Sequence, residues 1–195
     1  MNHSPLDQQY KVILLGDSSV GKTSLMNRWL NGTFNNQSKP TIGAANFTKI
    51  VHTPSGELIN IVLWDTAGQE QYRTVAPLYV RGSRVAIIVA STTDHESFSS
   101  IPFWINLITS TQTNETKKIL AINKIDLVDG TDEKISNYIE EYRSVFDHFF
   151  LVSAKTGENV NELFDGAAIQ ATSVAINEPI QPPQFVEPKT DNSCC

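Results

Sequence analysis

The segment Gly-Asp-Ser-Ser-Val-Gly-Lys-Thr at 16–23 constrains this chain more than any other feature. It has the spacing G-x-x-x-x-G-K-[ST] and follows a short apolar run at 10–15. It opens the stretch KTSLMNRWL at 22–30, where Leu25 and Trp29 recur at helical spacing before Asn31-Gly32. A strand that ends in a Gly-rich turn and starts a helix has one physical use above others. Backbone N–H groups turn inward around phosphate oxygens, and the helix adds its positive N-terminal end. In this pattern Lys22 bridges the terminal phosphates and the Thr23 hydroxyl ligates Mg²⁺, with Ser18, Ser19, Val20, Gly21 and Ser24 as further candidates around the phosphates. A chance Gly-rich turn would lack the flanking strand and helix.

The rest of the chain continues that opening unit. Strand-like runs at 44–52 and 58–64 flank Thr-Pro-Ser-Gly at 53–56, which predicts an antiparallel hairpin. Three more short apolar runs follow at 85–90, 118–122 and 149–152, separated by helical patterns at about 97–111, 132–145 and 159–171. Strands alternating with helices predict an α/β fold of the P-loop NTPase type. Its six-stranded sheet is mostly parallel with one antiparallel edge strand, and helices cover both faces. In such sheets ligands sit at the carboxyl ends of the strands. The expected division is one domain at 8–172 and a flexible tail at 173–195.

Three further segments fall at those strand ends. Asp65-Thr-Ala-Gly68-Gln69 follows the run at 58–64, so Asp65 emerges where it could hold a magnesium ion through water. Gly68 can bring a backbone N–H close to a γ-phosphate, and the Gln69 amide can orient an attacking water. Asn123-Lys124-Ile-Asp126 follows the run at 118–122. A carboxylate there accepts two hydrogen bonds from the N1 and 2-amino groups of guanine, a donor pair that adenine lacks. Ser153-Ala154-Lys155 carries little signal alone, but in this order and after its own strand it completes a set of four.

With 15 Lys+Arg against 21 Asp+Glu and a net charge of −6, the chain offers no broad basic surface for nucleic acid, so phosphate recognition must be local. No apolar run reaches the length of a membrane-spanning helix. The start at 1–9 shows no secretory pattern, and a reducing cytosol is the default compartment. The four histidines (3, 52, 95 and 148) have no metal-ligand spacing. The only cysteines are Cys194 and Cys195, so no disulfide framework supports the fold.

Taken together, GDSSVGKT at 16–23, PTIG at 40–43, WDTAGQE at 64–70, NKID at 123–126, SAK at 153–155 and the terminal Cys-Cys resemble a Ras-superfamily small GTPase, and more closely a Rab protein. TIGAA and the Ala-Pro at 76–77 resemble the early-endosomal branch. The resemblance implies a GTP/GDP switch in vesicle traffic that hydrolyses GTP slowly, with Gln69, Lys22 and Thr41 in the catalytic step. It implies that Thr41 ligates Mg²⁺ and senses the γ-phosphate, and that Phe34 packs on the guanine face. It also implies that Asn123, Lys124, Asp126, Ser153, Ala154 and Lys155 form the base pocket. Switch I would span about 34–47 and switch II about 66–81. The implied partners are an exchange factor, a GTPase-activating protein supplying an arginine, a GDP-dissociation inhibitor or escort protein, and effectors. A monomer anchored by prenyl groups on Cys194 and Cys195 to the cytosolic face of an endosomal or other vesicular membrane, cycling with the cytosol, completes the expectation.

Departures from the family pattern sharpen the test. The resemblance implies an effector surface that joins a switch I Phe to Trp64 and Tyr79, the alternative being that all three are core or half-exposed packing residues, but here the run reads Thr41-Ile-Gly-Ala-Ala-Asn46-Phe47. Either Asn46 is inserted and Phe47 keeps its role, or the effector surface differs. Residues 91–93 replace the usual Tyr-Asp. Glu178, Glu187 and Asp191 face Lys189 alone in the tail, so it has no polybasic attraction for anionic lipid. Two rival readings stand beside the switch: a nucleotide-bound scaffold without turnover, and an ATP-using P-loop enzyme, against which Asp126 speaks.

Overall fold

The computed structural model describes residues 8–36, 39–53, 56–111, 115–128 and 133–174. Cys194 and Cys195, most of the expected tail and the turn residues at 54–55 lie outside them. Six strands form one sheet: β1 (Gln9–Leu15), β2 (Ala44–His52), β3 (Leu58–Thr66), β4 (Val85–Ser91), β5 (Lys117–Asn123) and β6 (His148–Leu151). Their order is β2-β3-β1-β4-β5-β6. Only β2 and β3 pair antiparallel, as the hairpin predicts; all other neighbours are parallel. Six helices flank the sheet: α1 (Lys22–Asn31), α2 (Ala76–Val80), α3 (Glu96–Ser99), α4 (Ile101–Thr111), α5 (Glu133–Glu141) and α6 (Val160–Ser173).

The central strands are buried on both faces, which is why they read as continuous apolar runs. In β1, Tyr10, Val12 and Leu14 point to a core shared with Leu25 and Trp29 of α1 and Leu163, Phe164 and Ala168 of α6. Ile13 and Leu15 point to the opposite core, with Val80 of α2, Phe98 of α3, Trp104 and Ile108 of α4, and Ile135 of α5. The carboxyl ends of β1, β3, β5 and β6 fall along one edge of the sheet, where the loops carrying the four motifs emerge.

Three local expectations change. β3 runs two residues beyond the predicted end, so Asp65 and Thr66 belong to the strand. The helical pattern at 97–111 is two helices, because Pro102 lacks the N–H that would continue the ladder to Phe98. A helix that the pattern did not show, α2, begins after Val75 with Pro77 in its first turn, a position where the missing N–H costs nothing.

The displaced switch I Phe is resolved by register. Pairing between β2 and β3 is continuous from Ala44↔Thr66 to His52↔Leu58, with no bulge to absorb an inserted residue. Cross-strand partners share a face. Asn46 pairs with Trp64, and Phe47 pairs with Leu63, which points into the core of α1 and α6. Phe47 is therefore on the opposite side of the sheet from Trp64 and Tyr79, whose rings lie 6.2 Å apart. The expected grouping of Phe47 with those two aromatics is corrected, and Asn46 occupies the place beside Trp64.

Candidate nucleotide site

One cavity of about 510 Å³ opens at the carboxyl edge of the sheet, and all four motifs reach it. Ser18, Ser19, Gly21, Lys22, Thr23 and Ser24 form one wall, and Thr41, Gly68 and Gln69 form another. Asn123, Lys124, Asp126, Ala154 and Lys155 line the far end, with Phe34 at its side. Three predicted residues stand behind this surface. Val20 is in the core, Asp65 is buried beneath Thr23, and Ser153 is buried behind Asp126.

The P-loop is held in shape before any ligand is considered. Lys22 Nζ donates to the carbonyls of Gly16 (2.8 Å) and Asp17 (2.7 Å), folding its side chain back across the loop. Burial pulls its ammonium down to about 8, against the opposing charges of Asp65 and Asp17. An anionic phosphate beside it would favour the charged form. Gly21 adopts φ 100°, and a Cβ there would overlap the Asn123 carboxamide, so the glycine serves both conformation and close approach.

Three oxygens meet at the phosphate end. Thr23 Oγ1 donates to Asp65 Oδ2 at 2.6 Å, Thr41 Oγ1 donates to the same oxygen at 3.2 Å, and the two hydroxyls lie 2.7 Å apart. Switch I is thus folded onto the P-loop. Desolvation raises the Asp65 carboxyl pKa, opposed by the Thr23 hydrogen bond, Lys22 and Thr41. Its other oxygen, Oδ1, is buried without a hydrogen-bond partner. Hard oxygen donors with one unsatisfied carboxylate oxygen fit Mg²⁺, which keeps waters and relies on phosphate ligands rather than a protein cage. Among the described residues no cluster of three or more His, Cys, Asp or Glu forms such a cage.

At the base end, Asn123 ties the loops together: its Nδ2 donates to the Val20 carbonyl at 2.9 Å, and its Oδ1 accepts from the Ala154 N–H at 3.1 Å. Asp126 Oδ1 accepts from the Ser153 hydroxyl at 2.6 Å. Its Oδ2 is buried without a hydrogen bond, with Lys155 Nζ 3.4 Å away. Desolvation pushes the Asp126 carboxyl up, but the hydrogen bonds from Ser153 and the backbone together with Lys155 hold it below the usual carboxylate range.

Several contributors escaped the motifs. Arg28 of α1 donates to the carbonyls of Ala154 (2.9 Å), Lys155 (2.5 Å) and Gly32 (2.6 Å), bracing the base loop from 126 residues away in sequence. Thr92, one of the residues replacing the family Tyr-Asp, donates to the Lys124 carbonyl at 2.8 Å and so supports the left-handed turn at Lys124. Asn35, Asn36, Lys39, Pro40, Thr66 and Leu127 also line the cavity. The expected switch I span at 34–47 covers the first four, and WDTAGQE at 64–70 contains Thr66.

The Ras family profile matches residues 11–173. The chain is 37% identical to human Ras-related protein Rab-22A over 194 residues, covering 96% of this chain and 98% of that protein. Ras-related protein Rab-31 of Rattus norvegicus is 37% identical over 164 residues, 84% of this chain and 83% of its own. Ras-related protein Rab-5B of Plasmodium falciparum is 36% identical over 162 residues, 83% of this chain and 77% of its own. The chain belongs to the Ras family, as a Rab-type small GTPase. It is accordingly a guanine-nucleotide switch of vesicle traffic that converts GTP and water to GDP and phosphate.

Proposed function

We propose that this switch binds its nucleotide with Mg²⁺ in the 510 Å³ cavity, phosphates against Lys22 and the P-loop and guanine against Asp126, and hydrolyses GTP through a water oriented by Gln69. The observation that carries the reading is the meeting of Thr23, Thr41 and Asp65 at one end of a cavity whose other end presents a buried carboxylate oxygen. Thr23 and Thr41, with Asp65 through water, would hold the metal, which when bound neutralises charge on the β- and γ-oxygens. The chain's own groups do the rest. Lys22 offsets phosphate charge, Ser18, Ser19, Val20, Gly21, Thr23 and Ser24 shape the loop around it, and Gly68 brings its N–H to the γ-phosphate. Phe34 covers the base, while Asn123, Lys124, Ser153, Ala154 and Lys155 hold Asp126 and complete the pocket. No arginine lines the described cavity, so an arginine from a GTPase-activating protein supplies the acceleration.

Thr41 and Gly68 contact a γ-phosphate that GDP lacks, so their loops are held closed only in the triphosphate state. Effectors read that difference on the face of Asn46, Trp64 and Tyr79, while an exchange factor and a GDP-dissociation inhibitor or escort protein act on the GDP form. Replacing Gln69 by Leu is expected to lower single-turnover hydrolysis at least about tenfold with nucleotide still bound. Unchanged turnover would remove Gln69 from the reaction, and absent turnover in the unsubstituted protein would favour the scaffold.

No helix among the described residues is long and apolar enough to cross a membrane. Prenyl groups on Cys194 and Cys195 anchor the monomer to the cytosolic face of an endosomal or other vesicular membrane, from which it cycles through the cytosol. Two chains give lasting attachment where one gives a marginal, reversible one. Changing both cysteines to Ser should move the protein from the membrane pellet to the soluble fraction in cells. Retention in the pellet would mean that another feature holds it.

A further inference from the structure

Asp17 belongs to the P-loop by sequence, yet its side chain does not line the nucleotide cavity. It faces outward to a three-part contact. Arg73, just beyond the 3₁₀ turn at Glu70–Tyr72, donates to Asp17 Oδ1 at 3.0 Å. The indole N–H of Trp104 on α4 donates to the same oxygen at 3.2 Å. The Arg73 guanidinium also lies 4.7 Å over the Phe103 ring and 5.7 Å from the Trp104 ring, and those rings meet edge to face at 4.9 Å. One arginine of switch II thus joins the P-loop and α4. On the same side of the P-loop, Gly68 packs against the Asp17 and Ser18 backbone, where a Cβ would overlap.

We propose that Arg73 is a positioning residue for GTP hydrolysis: it holds switch II down on the P-loop, so that Gly68 and Gln69 stay at the cavity. The inference rests on the role given to Gln69 above. The Arg73 contacts require switch II to lie beside Asp17 and α4, so their free energy is available to the closed conformer alone and shifts the population toward it. The pair is partly exposed, with side chains 30% and 17% accessible, and its Coulomb attraction is screened accordingly. The guanidinium also sits over the Phe103 ring, with the Trp104 ring farther off, and this cation–π contact adds to the screened ion pair. Asp17 is itself pre-aimed by the Trp104 N–H, which makes the acceptor ready before switch II arrives.

Single-turnover hydrolysis and GDP release, measured for Arg73→Gln, Arg73→Lys, Asp17→Asn, the Arg73→Gln/Asp17→Asn double variant and Gln69→Leu, test this. Misplaced catalytic groups lose rate steeply, so Arg73→Gln should slow hydrolysis about five- to twentyfold, with Arg73→Lys recovering only part of it. The double variant should be about as slow as the slower single, the signature of one shared interaction. GDP release from Arg73→Gln should stay within about twofold of the unsubstituted protein, because GDP makes no demand on switch II, whereas general loosening would raise it too. Hydrolysis by Arg73→Gln within about twofold of normal, faster hydrolysis, additive losses in the double variant, or GDP release rising in step would each overturn the proposal. Loss in Gln69→Leu with none in Arg73→Gln refutes the Arg73 role alone. Loss in Arg73→Gln with none in Gln69→Leu refutes the Gln69 role and overturns the proposal that Arg73 acts by positioning Gln69.

Discussion

Replacing Asp126 by Asn is expected to exchange the preferred base from guanine to xanthine, lowering affinity for GDP by about a thousandfold or more. The carboxylate stays ionised because Ser153, the backbone and Lys155 hold its pKa below the usual range. It can therefore only accept, and guanine answers with two donors, N1–H and the 2-amino group. Xanthine keeps N1–H but places a carbonyl at position 2. An Asn carboxamide matches that pattern, with its oxygen accepting and its NH₂ donating, whereas against guanine the NH₂ groups confront each other with no acceptor between them. The fold has little reason to object. Ser153 donates to Oδ1 at 2.6 Å, an amide oxygen still accepts that bond though more weakly, and the Lys155 contact that is lost is exposed on the lysine side, so melting of the variant should fall only modestly. Equilibrium competition between GDP and xanthosine diphosphate gives the answer. Retained guanine preference would mean that Lys124 or the Ala154 backbone reads the base instead.

How much of this was legible in the chain depends on whether the signal is local. GDSSVGKT is read between its own strand and helix, and each remaining motif sits immediately after an apolar run. Placing the runs in a parallel sheet is enough to bring them to one edge, which is why the cavity contains nearly every residue expected in it. The supporting side chains carry no such mark. Arg28 on α1 reads as an ordinary helical cation until α1 and the Ser153-Ala154-Lys155 loop are packed together, and Thr92 reads as a departure from the family until Lys124 is placed beside it. Phe47 shows the converse. A Phe one position away from its usual place invites the idea of an insertion, but strand periodicity is two, so one residue of register moves a side chain to the other face. Nine consecutive pairs from Ala44 to His52 leave no room for a slip. The polar Asn46 beside Trp64 therefore alters what an effector would meet on that face.

The two switches are held against the P-loop by unequal contacts. Thr41 reaches the P-loop through hydroxyl contacts of 2.7 and 3.2 Å, which a metal and a γ-phosphate would reinforce. Switch II approaches by a backbone contact at Gly68 and the outlying Arg73 bridge. Gln69 is less firmly held. Its carboxamide oxygen accepts only from Gln71 Nε2 at 2.9 Å, an exposed contact that competes with the water it would orient. Positioning by a partner protein would have room to act there, because a single exposed contact holds the Gln69 side chain.

Replacing Gly68 by Ala should separate nucleotide binding from switching, with hydrolysis of bound GTP falling about a hundredfold. The reason is one of space, since Gly68 has no positive φ and Ala would suit its backbone. A Cβ at this position would overlap the carbonyl carbon and oxygen of Asp17 and the amide nitrogen of Ser18, all backbone atoms of a loop braced by Lys22 and Asn123. Neither side can yield as a flexible side chain would, so switch II must retreat and take Gln69 with it. GDP binding should be spared, because the base pocket and the Lys22 cradle lie on the side that does not move. GTP, by contrast, loses the contact that distinguishes it. By linkage, a protein that can no longer close on the γ-phosphate also gains no effector affinity from it. Two measurements decide the matter together: single-turnover hydrolysis, and capture of effectors by the variant loaded with GDP or with a slowly hydrolysed GTP analogue. Equal, weak capture in both states alongside slow hydrolysis is the expected pair. Hydrolysis within about threefold of normal, or capture that still follows the nucleotide, would show that switch II closes without resting on the P-loop at Gly68.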